Sequence, residues 1–77
     1  MQFWNVIVVN EERVVVLCKS FTTQAHAKIA LEKAYKNDLK MVADENTVTK
    51  AEFDELSYVV EYGDWYGYWG SVVESEL

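Results

Sequence analysis

Residues 2–19 read QFWNVIVVNEERVVVLCK, with two apolar runs separated by a polar step at Asn10–Arg13. Both runs are rich in β-branched and aromatic residues, and both are shorter than a typical helix. They therefore predict two strands, over about 2–10 and about 13–19, joined as a hairpin by a short loop.

Apolar side chains occur on both faces of the first predicted strand. Successive side chains of a strand point to opposite faces, so the apolar residues divide into two sets. One set is Phe3, Ile7 and Val9, and the other is Trp4, Val6 and Val8. We therefore expect either that both faces of the sheet are covered or that one of them is an interface.

The next segment predicts the main helix, from about residue 23 to about residue 37. The hydroxyl groups in Ser20–Thr23 can accept hydrogen bonds from the free amides of a first helical turn. Asn37 and Asp38 favour turns and are expected to end the helix, so that 39–43 is either its tail or a short strand. The apolar residues that fall on one side at helical spacing are Ala27, Ala30, Leu31, Ala34 and Tyr35.

A second, short helix is expected from about residue 50 to about residue 56. Thr49 and Glu52 have the spacing of a capping box, in which a Thr side chain and a Glu three residues later satisfy the free amides of a first turn. Such a helix would bury Phe53 and Leu56.

The last segment predicts a second hairpin, with strands over about 57–62 and about 65–73. Gly63-Asp64 suits a two-residue turn. That register would place Tyr66 and Tyr68 on one surface and Trp69 on the other, and a slip of one residue would exchange the surfaces. The aromatic side chains of this hairpin are interpreted either as core or as an interface.

Together these elements predict a single α+β domain over residues 1–77. A small antiparallel sheet, built from two hairpins, would pack on one main helix, and the second short helix would accompany it. A content of 51% hydrophobic residues with no proline excludes a disordered chain, and one cysteine excludes an intrachain disulfide. The first ten residues lack a basic leader region and are too short to cross a bilayer, so we expect a cytoplasmic protein without membrane contact.

No motif in the sequence carries recognisable catalytic chemistry. Cys18 and His26 are the only thiol and imidazole, and the predicted elements point them apart. The chain has no glycine-rich phosphate loop and no calcium-loop pattern. We therefore expect a protein that is not an enzyme and that has no catalytic residue, no metal and no cofactor.

Charge is distributed unevenly along the chain, whose net charge is −6. Six basic and four acidic residues give residues 1–43 a net charge of +2, whereas one basic and nine acidic residues give residues 44–77 a net charge of −8. This balance disfavours direct nucleic-acid binding and favours a protein partner with a basic surface, although acidic residues also serve solubility alone. The expected partner-binding residues are Glu52, Asp54, Glu55, Glu61 and Asp64, with Tyr66, Tyr68 and Trp69 as aromatic anchors.

The stretch Glu61-Tyr62-Gly63-Asp64-Trp65-Tyr66, in a short, acidic chain with one cysteine, resembles phage-encoded inhibitors of bacterial defence, such as anti-CRISPR and anti-restriction proteins. The resemblance is to a class and covers composition alone. It implies inhibition of a host nucleic-acid-binding or defence complex in the host cytoplasm, by steric block or partial nucleic-acid mimicry. The alternatives are an oligomer that sequesters a small nucleotide-like ligand and a non-catalytic interaction subunit. A homodimer is compatible with each reading.

Overall fold

The computed structural model describes residues 1–76 and consists of one helix packed on one antiparallel sheet. The sheet has five strands in the spatial order β2-β1-β5-β4-β3. The predicted α+β class is confirmed. In chain order the elements are β1 (Gln2–Asn10), β2 (Val15–Phe21), α1 (Gln24–Glu45), β3 (Val48–Asp54), β4 (Ser57–Tyr62) and β5 (Tyr66–Glu76).

The core lies between α1 and one face of the sheet, which we call the covered face. The apolar stripe predicted for the helix is confirmed, because Ala27 and Leu31 are fully buried and the other three members pack against the core. From the sheet, β1 and β4 supply most of the buried side chains. The buried hydrophobic residues are Val6, Val8, Ala27, Leu31, Val42, Tyr58 and Val60.

The helix begins where the sequence predicts, but it ends eight residues later than expected. The Thr23 hydroxyl accepts a hydrogen bond from the amide of His26, at 3.3 Å, and so caps the first turn. The predicted end at Asn37-Asp38 is wrong. Asp38 accepts a hydrogen bond from the Tyr58 hydroxyl, and Val42, one turn further on, is buried in the core, so residues 39–43 form the helix tail.

The predicted second helix is also wrong, because residues 48–54 form the edge strand β3. The pairing with β4 shifts between Val48 and Lys50, so Thr49 is the extra residue of a β-bulge. Val48 and Ala51 consequently both face α1, although they are three positions apart. That spacing is typical of a helix, and it explains why the sequence pattern was misleading.

The hairpin of β4 and β5 has a three-residue loop, Gly63 to Trp65, instead of the predicted two-residue turn. Gly63 adopts a φ of 63°, which lies in the left-handed region that favours glycine. Tyr62 therefore pairs with Tyr66, and the two rings stack with centroids 5.5 Å apart. The register is shifted by one residue from the predicted one, so the surfaces of β5 are exchanged.

A close approach between β4 and β5 fixes the packing under the helix. Tyr58 pairs with Gly70, and its ring lies over that glycine. A Cβ at position 70 would lie 2.1 Å from Cε2 of Tyr58, which no side chain could tolerate without a shift. Gly70 thus leaves the space that a buried tyrosine ring needs.

The first hairpin forms as expected, but β2 spans residues 15–21 instead of 13–19. Arg13 has a φ of 62° and lies in the loop. The Asn10 carboxamide oxygen accepts hydrogen bonds from the amides of Glu12, at 2.9 Å, and Val14, at 3.1 Å. This local network keeps residues 11–14 in the loop and delays the start of β2.

Candidate functional site

The sheet has a second face, turned away from α1, that no other element of residues 1–76 covers. We call it the open face. On β1 it carries Phe3, Ile7 and Val9, the set that the sequence analysis separated from the buried valines. The two faces of the sheet are therefore not both covered. An interface on the open face, the alternative expectation, stays a prediction.

An apolar row crosses the centre of the open face. Val9 pairs with Trp69, and Trp69 pairs with Val59, so three apolar side chains lie side by side on three neighbouring strands. The indole of Trp69 lies along its own strand over Gly67, where an added Cβ would be only 2.9 Å from Cη2 of the ring. Next to this row is a groove of about 720 Å³, to which Ile7 and Ser71 also contribute.

Carboxylates border this apolar row on the β3–β4 side. Glu52 pairs with Val59, and Asp54 pairs with Ser57, and both acidic residues line the groove. On the neighbouring strand Glu61 pairs with Gly67 on one side and with Lys50 on the other. Alternate residues of a strand are about 6.6 Å apart, so Glu52 and Asp54 present two negative charges at that spacing. We call Glu52, Asp54 and Glu61 the acidic margin.

Towards β2 the open face is uncharged and carries a polar cluster beside the exposed Val73. The Ser20 hydroxyl donates to the carboxamide oxygen of Asn5, at 2.5 Å. The Asn5 amide group in turn donates to the Ser75 hydroxyl, at 2.9 Å, and to the carbonyl of Val73, at 3.1 Å. These hydrogen bonds link β2, β1 and β5, so the open face changes from neutral to acidic across its width.

Four of the eight residues predicted to bind a partner lie together on the open face: Glu52, Asp54, Glu61 and Trp69. The other four lie elsewhere. Glu55, in the turn after β3, approaches the ammonium group of Lys28 on α1, with Nζ and Oε2 3.2 Å apart. Asp64 lies in the loop between β4 and β5, beyond the ends of these two strands.

Tyr66 and Tyr68 are on the covered face, because the register of β5 differs from the predicted one by one residue. Tyr68 pairs with the buried Val60, and Tyr66 stacks on Tyr62. Placing these tyrosines with Glu61 and Val59 is therefore wrong. Burial is the main cause that raises the pKa of the Tyr68 hydroxyl, and the negative charges of Asp38 and Glu11 add to the effect.

One ionisable pair lies beneath the helix, on the covered face. The Tyr58 hydroxyl donates to a carboxylate oxygen of Asp38. Burial raises the pKa of the Asp38 carboxyl, and the hydrogen bond from Tyr58 opposes that rise only in part. Burial, followed by the contact with Asp38, also raises the pKa of Tyr58. The pair joins α1 to β4 and takes no part in the open face.

The predicted partner-binding residues do not include three residues of the open face, Ile7, Val9 and Val59, although the sequence leaves the face with Ile7 and Val9 open as an interface. All three lie in runs where the residues that point to either face of the strand are apolar. Their residue type therefore does not distinguish core from surface. The signal that could have identified them is the number of helices, which the sequence pattern predicts as two and the structure shows to be one. One helix covers one face of a sheet, so apolar residues on both faces of β1 leave one set uncovered.

Within residues 1–76, no group of three or more His, Cys, Asp or Glu side chains is arranged to hold a metal ion. Cys18 is exposed opposite Ile7, and His26 has Nδ1 2.8 Å from the Thr23 hydroxyl. In the same part of the chain, no helix has the length and apolar character needed to cross a bilayer.

Comparison with known proteins adds no assignment. No protein-family model matches the chain, and neither a curated protein nor a solved structure shows significant similarity to it.

Proposed function

We propose that this protein is a non-catalytic, protein-binding inhibitor that docks through its open face onto a basic surface of a nucleic-acid-binding partner. The observation that carries the proposal is the half-buried apolar row, Val9, Trp69 and Val59, which no other element covers, with the acidic margin directly beside it. A row of this kind on a sheet face that no helix covers is better explained by a partner than by folding.

The chemistry of the open face fits such a complex. Tryptophan is enriched among residues that contribute most to binding energy, and a Trp69 side chain held over Gly67 loses little freedom when a partner covers it. The acidic margin supports fast association with a basic surface and disfavours an acidic one. The inferred partner therefore presents an apolar pocket for the indole next to lysine or arginine side chains.

Within this proposal, steric block is a better explanation than extensive mimicry of nucleic acid. The margin holds three carboxylates, and Lys50 lies directly opposite Glu61. The centre of the face is apolar, whereas a phosphate backbone is charged along its whole length. We infer that mimicry is confined to the margin, and that the partner belongs to the class inhibited by phage-encoded anti-defence proteins, a nuclease or defence complex.

The proposal can be tested by capture from a bacterial lysate at low and high salt, followed by assay of the purified captured protein. Two variants carry the same change of charge. The first is Glu52→Lys/Asp54→Lys/Glu61→Lys on the margin, and the second is a control at exposed positions away from it, Glu12→Lys/Asp44→Lys/Glu45→Lys. Trp69→Ala tests the apolar row without changing charge.

We expect the wild type and the control to capture the same protein with 1:1 stoichiometry, and the margin variant and Trp69→Ala to lose it. The captured protein should bind nucleic acid, and the wild type should block that activity. Equal capture by all four proteins would contradict docking through the open face. A partner whose nucleic-acid binding and cleavage are unaffected would contradict inhibition while leaving the docking surface in place.

A further inference from the structure

A second surface lies at the opposite side of the molecule, in a groove between α1 and the edge strand β2. Its volume is about 500 Å³, within the range of roughly 300–1,000 Å³ that ligand sites occupy. Val8 and Tyr68 are among the residues that line it. Val16 and Leu17 line it from β2, and Ala30, Ala34 and Met41 line it from the helix.

The groove exists because α1 packs more closely over β3 and β4 than over β2. Tyr35 contacts the ring of Phe53 on β3, with centroids 5.2 Å apart, and Asp38 contacts Tyr58 on β4. On the flank facing β2, the helix carries Ala30 and Ala34. These short side chains fill little of the space above β2.

The outer edge of β2 has no strand beside it in residues 1–76, and its composition differs from that of the other edge. Val15 and Val16 are 54% and 49% exposed. Both edge strands have a β-bulge, at Val16 in β2 and at Thr49 in β3. Strand β3, however, carries three charged residues that discourage pairing with another strand, Lys50, Glu52 and Asp54, whereas β2 carries Lys19 alone. Of the two edges, β2 is therefore the one suited to receive an additional strand.

Charge indicates which kind of strand fits. Lys19 of β2 and Lys33 of α1 both line the groove, one from each wall. The one carboxylate in the lining, that of Asp38, already accepts the hydrogen bond from Tyr58. The groove thus combines an apolar floor with two ammonium groups, and it complements an apolar segment that carries carboxylates.

We propose that this groove binds an extended acidic segment of a partner protein, which adds a sixth strand beside β2. Main-chain hydrogen bonds to β2 would hold the segment, and every second side chain would enter the groove. Its carboxylates would contact Lys19 and Lys33. This site is separate from the open face, so the protein can engage a basic surface with one side and an acidic strand with the other.

A defined probe tests this directly: an acetylated and amidated octapeptide of alternating leucine and glutamate. Amide chemical shifts in two-dimensional NMR spectra of the full chain report where it binds. We expect shifts in β2 and on the Ala30–Met41 flank of α1. Lys19→Glu/Lys33→Glu should weaken binding about tenfold, because carboxylates would then meet like charges. The control Lys36→Glu/Lys40→Glu makes the same change of charge on exposed positions of α1 and should leave affinity unchanged.

Two further peptides and a control without peptide decide the proposal. A peptide N-methylated at alternate residues, which cannot form the strand ladder, should bind much more weakly, and so should a leucine–lysine peptide. The proposal is overturned if either peptide binds as well as the first, or if the shifts map to Trp69 and the acidic margin. Shifts in β2 that depend on protein concentration without peptide would instead identify a second copy as the occupant, and absence of binding at millimolar peptide would exclude the site.

Discussion

The two faces of this sheet contain similar residues in different surroundings. Val59 and Val60 are neighbours on β4, yet Val60 is fully buried beneath α1 and Val59 lies on the open face beside Trp69. Residue type does not separate them. The difference is made by the single helix, which can cover one side only. An apolar strand residue in such a fold therefore lies either in the core or on the open face, for which we propose a role in recognition, according to the face on which its side chain lies.

The largest expected effect comes from truncating these two valines. Val60→Ala removes two buried methyl groups and leaves a cavity, and should lower the free energy of unfolding by about 2–3 kcal/mol. Val59→Ala makes the same change on a half-buried position and should cost less than about 1 kcal/mol. Urea denaturation followed by circular dichroism measures both. Equal losses would mean that the open face is covered in solution, and the comparison of the two faces would fail.

A second comparison uses the position where the tyrosine ring lies against the backbone. Gly70→Ala forces a Cβ into the Tyr58 ring beneath the helix and should destabilise the fold by about 1–3 kcal/mol, the usual cost of overpacking. Ser71→Ala, one residue further along on the open face, is the control and should change stability by less than about 0.5 kcal/mol. Thermal unfolding of both variants provides the measurement. A Gly70→Ala protein as stable as the wild type would show that Tyr58 can leave its buried position freely.

The third prediction concerns the pH dependence of the covered face. Burial raises the pKa of Asp38 in the folded state, so the folded protein binds that proton more tightly than the unfolded chain does. The contribution of Asp38 to the free energy of unfolding should therefore rise as pH falls from 7 through the folded pKa towards the unfolded value of about 3.9. Asp38→Asn removes this contribution and keeps an oxygen that can accept from Tyr58.

Urea denaturation of wild type and Asp38→Asn across pH 4 to 7 tests the sign. We expect Asp38→Asn to be at least as stable as the wild type at pH 7. At lower pH, the free energy of unfolding of the wild type should rise relative to that of the variant. Asp44→Asn, at the exposed end of the same helix, is the matched control for loss of one carboxylate. If the free energy of unfolding of the wild type instead rose relative to that of Asp38→Asn with rising pH, the folded-state pKa of Asp38 would be lowered, contrary to the prediction.

The smallest expected effect is on the open face itself. Glu52→Gln/Asp54→Asn/Glu61→Gln removes three carboxylates from exposed or half-buried positions, and should change stability by less than about 0.5 kcal/mol, because these side chains contact little of the core. The same variant should lose the salt-sensitive part of partner binding, measured by calorimetry once the partner is in hand. A loss of several kcal/mol in stability would show that the margin holds the fold together.

Much of the covered face could be predicted from the sequence, because local signals and tertiary packing agree there. Thr23 caps the helix, the stripe from Ala27 to Tyr35 faces the sheet, and the valines of β1 alternate as a strand requires. The acidic and aromatic character of the second half also led to four residues that lie together on the open face. These predictions rest on periodicity and charge, which the fold preserves.

The errors occur where one residue changes the period. The bulge at Thr49 makes a strand resemble a helix, and the third loop residue, Trp65, exchanges the surfaces of β5. The end of α1 was missed for a different reason. Asp38 is a turn former whose carboxylate is satisfied by Tyr58, a residue 20 positions away, and no local pattern contains that contact.

The pairing of Gly70 with the Tyr58 ring also constrains how this chain can change over time. Position 70 has room for a side chain only if position 58 loses its ring, so a change at position 70 requires a smaller residue at position 58. Gly67 is restricted differently, because a Cβ there would lie 2.8 Å from the Val60 carbonyl oxygen as well as 2.9 Å from the Trp69 ring, so a smaller residue at 69 would not by itself make room. Coupled change at positions 58 and 70 is thus the pattern to expect among chains that keep this packing.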